Sequence, residues 1–188
     1  MVKNAFLLFL FACVSTLTAQ NKEWVKVKDT VNAFVVEFPA QPQKGVEDVP
    51  TVKGSVKMDS YTLQTVDDDI LIYMTSFTKY PKSFFENGLD TFEEQNKVLN
   101  GNVQGVVSNT KGTLVSDKKI TFNGYNGRGI VIELNSTPSV NVVYLVQMKI
   151  VLVDYNLYLA QVIYEKKNAG NINAKRFFES FELIKVKQ

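Results

Sequence analysis

The chain contains no histidine, and its single cysteine is Cys13. This removes Ser-His-Asp and Cys-His catalysis, histidine general bases and the imidazole ligands common in catalytic zinc sites. Chemistry falls instead to carboxylates, lysines, tyrosines and hydroxyls. The densest acidic group is Asp67-Asp68-Asp69, which offers the oxygen ligands that calcium takes. It lacks the spaced Asp/Asn ligands, the glycine and the distal glutamate of an EF-hand loop, and a solvated turn is the simpler reading. Glu93 and Glu94 could join a distant carboxylate in acid–base work, but adjacent helical residues diverge by about 100°. A polar outer helix face accounts for them. No metal, cofactor or catalytic residue is expected.

Binding offers more candidates than catalysis. Gly124, Gly127 and Gly129 suit a hairpin and do not precede a helix, so they form no phosphate cradle. Lys26 and Lys28 alternate with apolar residues, as on the wet side of an edge strand. Tyr61, Tyr73, Tyr80, Tyr125, Tyr155, Tyr158 and Tyr164 could line a cleft or a partner surface, although half-buried sheet positions also use tyrosine for packing. Tyr125 and Arg128 fall on one turn, and these two residue types recur at interface hot spots. They are therefore the candidate partner-binding residues. In the alternative reading, Tyr125 covers the sheet end and Arg128 pairs with a local carboxylate. Asn135-Ser136-Thr137 is a formal glycosylation sequon.

The elements that must carry these residues follow from periodicity. Trp24 to Lys28 and Ala33 to Phe38 have strand character, and Pro39 and Pro42 then turn the chain. Pro42 to Gly54, poor in large apolar residues, is expected as a surface loop. Val56 to Val66 and Ile70 to Thr78 form a hairpin around the acidic turn. Thr113 to Phe122 and Gly129 to Leu134 form a second, joined by Asn123-Gly124-Tyr125-Asn126-Gly127, the clearest turn signal in the chain. Val140, Val142, Tyr144, Val146, Met148, Ile150 and Leu152 repeat at period two, which makes one face of a long strand core. Leu157 to Tyr164 returns as its partner.

Two helices interrupt the strands. Leu89, Phe92, Asn96, Leu99, Val103 and Val106 share one helical face, with a start near Asn87 and fraying or a break expected around Gly101 and Gly105. A shorter helix follows Asn171, and a tail runs from Phe181 to Val186. Tight turns between successive strands require antiparallel pairing. The expectation is an α+β domain: a single antiparallel sheet of about six to eight strands, packed with two or three helices as an α/β/α sandwich.

The N-terminus reads as a targeting segment. Lys3 precedes the apolar run Ala5 to Val14, and Leu17 and Ala19 suit cleavage before Gln20, so residues 1–19 are expected to be a signal peptide and 20–188 one domain. The run is too short to span a bilayer as a helix. Leu10-Phe11-Ala12-Cys13 partly matches a lipobox, the alternative in which Cys13 carries a lipid anchor. Ordinary cleavage leaves a mature chain without cysteine, whose stability must come from its core. The full chain carries a net charge of only +2, and 45% of its residues are hydrophobic. With both signs scattered along it, it has no nucleic-acid or anionic-membrane footprint.

Three blocks carry a family resemblance: Asn32-Ala33-Phe34-Val35-Val36-Glu37-Phe38-Pro39-Ala40-Gln41-Pro42, then Gly124-Tyr125-Asn126-Gly127-Arg128, then Arg176-Phe177-Phe178-Glu179-Ser180-Phe181-Glu182-Leu183. In this order the chain resembles small exported bacterial proteins of uncharacterised function with a PsbP-like fold, shared by an extrinsic subunit of photosystem II and a Ran-binding import factor. The resemblance implies an antiparallel sheet between helices, with Phe38 and Phe181 as core anchors. It brings no catalytic motif. Together these readings point to an exported, periplasmic or secreted, non-enzymatic binding or assembly module of the bacterial cell envelope, whose partner is an envelope protein or a small ligand. The alternatives are a periplasmic hydrolase or lyase working through carboxylates and tyrosine, and a lipid-anchored envelope protein.

Overall fold

The strand with the strongest period-two signal lies in the middle of a large sheet and is buried on both faces. In the computed structural model, which describes residues 23–66, 68–134 and 142–184, the chain order is β1 (Val25–Asp29), β2 (Phe34–Phe38), β3 (Gln43–Thr51), β4 (Gly54–Gln64), β5 (Ile70–Lys79), a 3-10 turn (Lys82–Phe84), α1 (Phe92–Thr110), β6 (Thr113–Phe122), β7 (Tyr125–Leu134), β8 (Tyr144–Val153), β9 (Asn156–Glu165), α2 (Ile172–Ser180) and β10 (Glu182–Leu183). The expected signal peptide, Asp67, Val140 and the sequon at Asn135 lie outside the described residues.

Seven strands pair in the order β3-β4-β5-β9-β8-β7-β6, every neighbour antiparallel. Two meanders, β3–β5 and β6–β9, meet at the β5–β9 pair, and α1 carries the chain from that centre to the far edge. The expected α+β class and antiparallel pairing are present, and the large sheet falls within the expected strand number. The sheet is not alone, however. β1, β2 and β10 form a separate three-stranded sheet, because Phe34, Val36 and Phe38 turn one face of β2 onto the large sheet while its edges pair with β1 and with the tail.

Two cores result. On one face, Leu99 and Val103 of α1 pack against Ile130, Ile132, Val146, Met148 and Ile150. On the other, α2 and the small sheet bring Ala174, Phe177, Phe181, Phe34 and Phe38 against Tyr73, Leu145, Val151, Tyr158 and Val162. The Phe177 ring lies 5.3 Å from Phe38 and 5.4 Å from Tyr73, both edge-on, the geometry that aromatic quadrupoles favour. Phe38 and Phe181 are both fully buried, as the resemblance implies.

Four local differences have physical causes. Residues 43–51 form β3, not a loop: they are an edge strand, where charges and Pro50 deter further pairing in place of a buried apolar row. α1 starts at Phe92, where the Thr91 hydroxyl accepts from the Glu94 amide at 3.2 Å and Glu93 and Glu94 sit in the positive first turn. It runs unbroken through Gly101 and Gly105 to Thr110. The β6–β7 turn is only Asn123-Gly124, whose φ angles of 51° and 85° suit a two-residue hairpin. The second Asn-Gly step lies within β7, where Asn126 donates to Gln95 Oε1 at 2.5 Å and a Cβ on Gly127 would run into the Ile150 carbonyl.

Candidate ligand groove

α1 covers the β7–β8 side of its sheet face and leaves the β4–β5–β9 side open. The β3–β4 hairpin rises along that opening as a second wall, and the segment after β5 closes one end. The Lys53 ammonium makes this closure, donating to the Phe84 carbonyl at 2.6 Å. The groove, open to solvent along its length, has a volume of about 720 Å³, well inside the range of small-molecule sites, roughly 300–1,000 Å³.

Its surface is mainly apolar. Val56 and Met58 come from β4, Leu157 and Leu159 from β9, Val98 and Val106 from α1, and Phe84 and Phe85 from the closing segment. Gly101 and Gly105 also line it, and a Cβ on either would meet nothing within 4 Å. One helical turn apart, they remove side chains from the helix where the groove passes. Apart from Lys53 and Lys97, its polar groups are neutral: Ser76 and Thr78 are buried on β5, and the Tyr80 hydroxyl donates to Asn102 Oδ1 at 3.5 Å. Burial pushes the Tyr80 phenol up, so it is uncharged at neutral pH.

Among the described residues, the ionisable ones lining the groove are Lys53, Lys97 and Tyr80, and no carboxylate lines it. Lys97 is held on the outer side by Glu93 at 3.3 Å and Glu94 at 3.2 Å. An acid–base pair needs two groups converging on one substrate atom, and this lining does not provide one. What it can do is remove an apolar body from water and offer a few fixed hydroxyl and amide partners.

The residues singled out from sequence are dispersed. Tyr125 and Arg128 are an odd number of residues apart on the regular strand β7, and successive strand residues face opposite ways. Asn126 and Ile130 share the α1 face with Arg128, whereas Tyr125 lies on the α2 face. Arg128 is 9% exposed and donates through Nε and Nη2 to both Asp117 oxygens, at 2.8 and 2.6 Å. Tyr125 is 40% exposed. Of the tyrosines, Tyr80 lines the groove, whereas Tyr73, Tyr158 and Tyr164 are core residues. Asp68 accepts from the Tyr73 hydroxyl at 2.8 Å and from Asn173 Nδ2 at 3.3 Å, and Asp69 accepts from Asn171 Nδ2 at 3.0 Å. The described part of the acidic turn thus clasps the start of α2. Among the described residues no group of three or more His, Cys, Asp or Glu side chains is placed to hold a metal.

No protein-family model matches the chain, and no curated protein is similar to it in sequence. Among solved structures it is similar to the solution structure of cyanobacterial PsbP (CyanoP) from Synechocystis sp. PCC 6803, with a TM-score of 0.55, 10% identity, and coverage of 88% of this chain and 95% of that one. The chain therefore has a PsbP-like fold. At this identity the likeness carries the architecture alone.

Proposed function

We propose that this chain is an exported, non-enzymatic binding module of the bacterial cell envelope, and that its ligand is a small, mainly apolar molecule held in the groove between α1 and the β3–β4 hairpin. The observation that carries this reading is the groove's lining: a mainly apolar surface of small-molecule size whose only charged side chains, among the described residues, are Lys53 and Lys97, the latter held by Glu93 and Glu94. Export is supported by the signal-like pattern of residues 1–19.

A neutral naphthylamine fluorophore, which reports on apolar sites of any ligand specificity, tests the reading. It should bind saturably to the folded chain at one site, with amide chemical-shift changes centred on Val98, Val106, Leu157 and Leu159. Non-saturable binding, or shifts that avoid these residues, would overturn the assignment of the groove.

A further inference from the structure

The opposite face of the large sheet holds a second cavity, of about 420 Å³, between α2 and strands β6–β8. Ile120, Gly129, Lys149, Lys175, Phe178 and the carboxylate Glu179 are among its lining residues. Lys149 lies on β8 beneath the end of α2, where its ammonium donates to the Phe178 carbonyl at 2.9 Å and sits 4.5 Å from the centre of the Phe122 ring. These contacts suit a cation, since a helix C-terminus and an aromatic face are both electronegative.

They do not supply a counter-charge. Among the described residues no carboxylate lies within ion-pair distance of Lys149, and Glu179, the carboxylate whose field reaches it, is paired with Lys175 at 3.8 Å. Burial holds the Lys149 ammonium below its ordinary range, with Glu179 opposing that shift. Lys149 is half-buried, and a charge drawn partly out of water is ordinarily paired, because an unpaired one gives up hydration without a compensating partner.

The space beside Lys149 has a local cause. Gly129 is its cross-strand partner in the β7–β8 register. A Cβ at Gly129 would meet only Ile120, at an ordinary 3.6 Å, so packing does not require a glycine there, in contrast to Gly127. The missing side chain opens the sheet surface next to the ammonium. Gln147, whose Oε1 accepts from the Tyr164 hydroxyl at 3.0 Å, lines the same cavity as a fixed amide.

The geometry points to a site for a small organic monocarboxylate, its anionic head on the Lys149 ammonium and its apolar body against Ile120 and Phe178. This site is separate from the α1 groove and does not depend on the reading of that groove.

The probes are hexanoate, 1-hexanol with a similar body but no charge, and inorganic phosphate with charge but no body. Calorimetry and amide chemical shifts of the wild-type chain should show saturable hexanoate binding that perturbs Gly129 and Ala174, with the other two probes at least about tenfold weaker. Lys149→Met should weaken hexanoate at least about tenfold. Gly129→Val, which puts a branched side chain into the cavity beside the ammonium while keeping the lysine, should do the same and covers the case in which Lys149→Met does not fold. Hexanoate shifts confined to Val98 and Leu157, equal binding of hexanol, or full binding by folded Gly129→Val would each overturn the proposal.

Discussion

Arg128 grips both carboxylate oxygens of Asp117 across the β6–β7 pair, at 2.8 and 2.6 Å, on the sheet face that α1 covers. The pair is nearly buried, with side-chain exposures of 10% and 23%. A bidentate, charge-assisted contact of this kind is worth more than a surface ion pair, and removing one partner strands the other charge. Arg128→Ala should therefore lower stability by roughly 1–3 kcal/mol, read as a shift in the urea midpoint, while the folded variant still binds the naphthylamine probe. Wild-type stability in Arg128→Ala would show that the guanidinium is not structural.

A second anchor is Asp68. It accepts from the Tyr73 hydroxyl, the Ile70 amide and Asn173 Nδ2, linking the start of β5 to α2. Asp68→Ala would leave the buried Tyr73 hydroxyl without its acceptor, a loss of about 1–3 kcal/mol. Adding calcium to the wild type should leave the melting temperature unchanged. A saturable rise with calcium would instead identify the acidic turn as a metal site.

The tyrosines make stability sensitive to alkali. Burial pushes Tyr158 up to about 12, and burial together with the hydrogen bond to Asp68 pushes Tyr73 up as well. The folded state therefore keeps protons that the unfolded chain releases near its ordinary tyrosine value of about 10. Stability is fully present below that pH and falls as pH rises toward the folded values. Lys149 acts in the opposite direction, because its lowered pKa adds stability as pH rises toward 10.5. Urea midpoints should decline above about pH 10, and Tyr158→Phe should flatten the decline. Constant midpoints up to about pH 12 would contradict the burial of these phenols.

The proposed export makes a prediction about mass. Ordinary cleavage should yield an envelope-fraction protein that begins at Gln20. Intact mass spectrometry of the natively produced chain checks this, and a protein beginning at a lipid-modified Cys13 would replace ordinary cleavage with the lipid-anchored alternative.

The sequence made most of the architecture legible and little of the site. Period-two alternation identifies Val146, Met148, Ile150 and Leu152 as core, and Asn123-Gly124 fixes the β6–β7 turn by local backbone chemistry. The burial of Leu145 and Val151 depends on the second layer, α2 and the small sheet, which no local pattern announces. β3 escapes because an edge strand has no buried row to display. In the pair Tyr125 and Arg128, the second Asn-Gly step suggests a wide turn, whereas packing of Gly127 against Ile150 keeps β7 regular and sends the two side chains to opposite faces. The groove joins Val56, Tyr80, Val98 and Leu157 from four separate segments, so only folding brings it into being. Its one local trace is Gly101 and Gly105, which propensity alone interprets as a weak point in the helix.

Those two glycines allow the most direct test of the groove. A Cβ on either enters open space, and replacing a helical glycine with leucine gains about 1 kcal/mol of helix propensity per site. The measurement is naphthylamine affinity of the Gly101→Leu/Gly105→Leu variant alongside its melting temperature. A ligand groove predicts that the variant melts at or above the wild-type temperature and binds the probe at least about tenfold more weakly. Undiminished binding by this folded variant would contradict it.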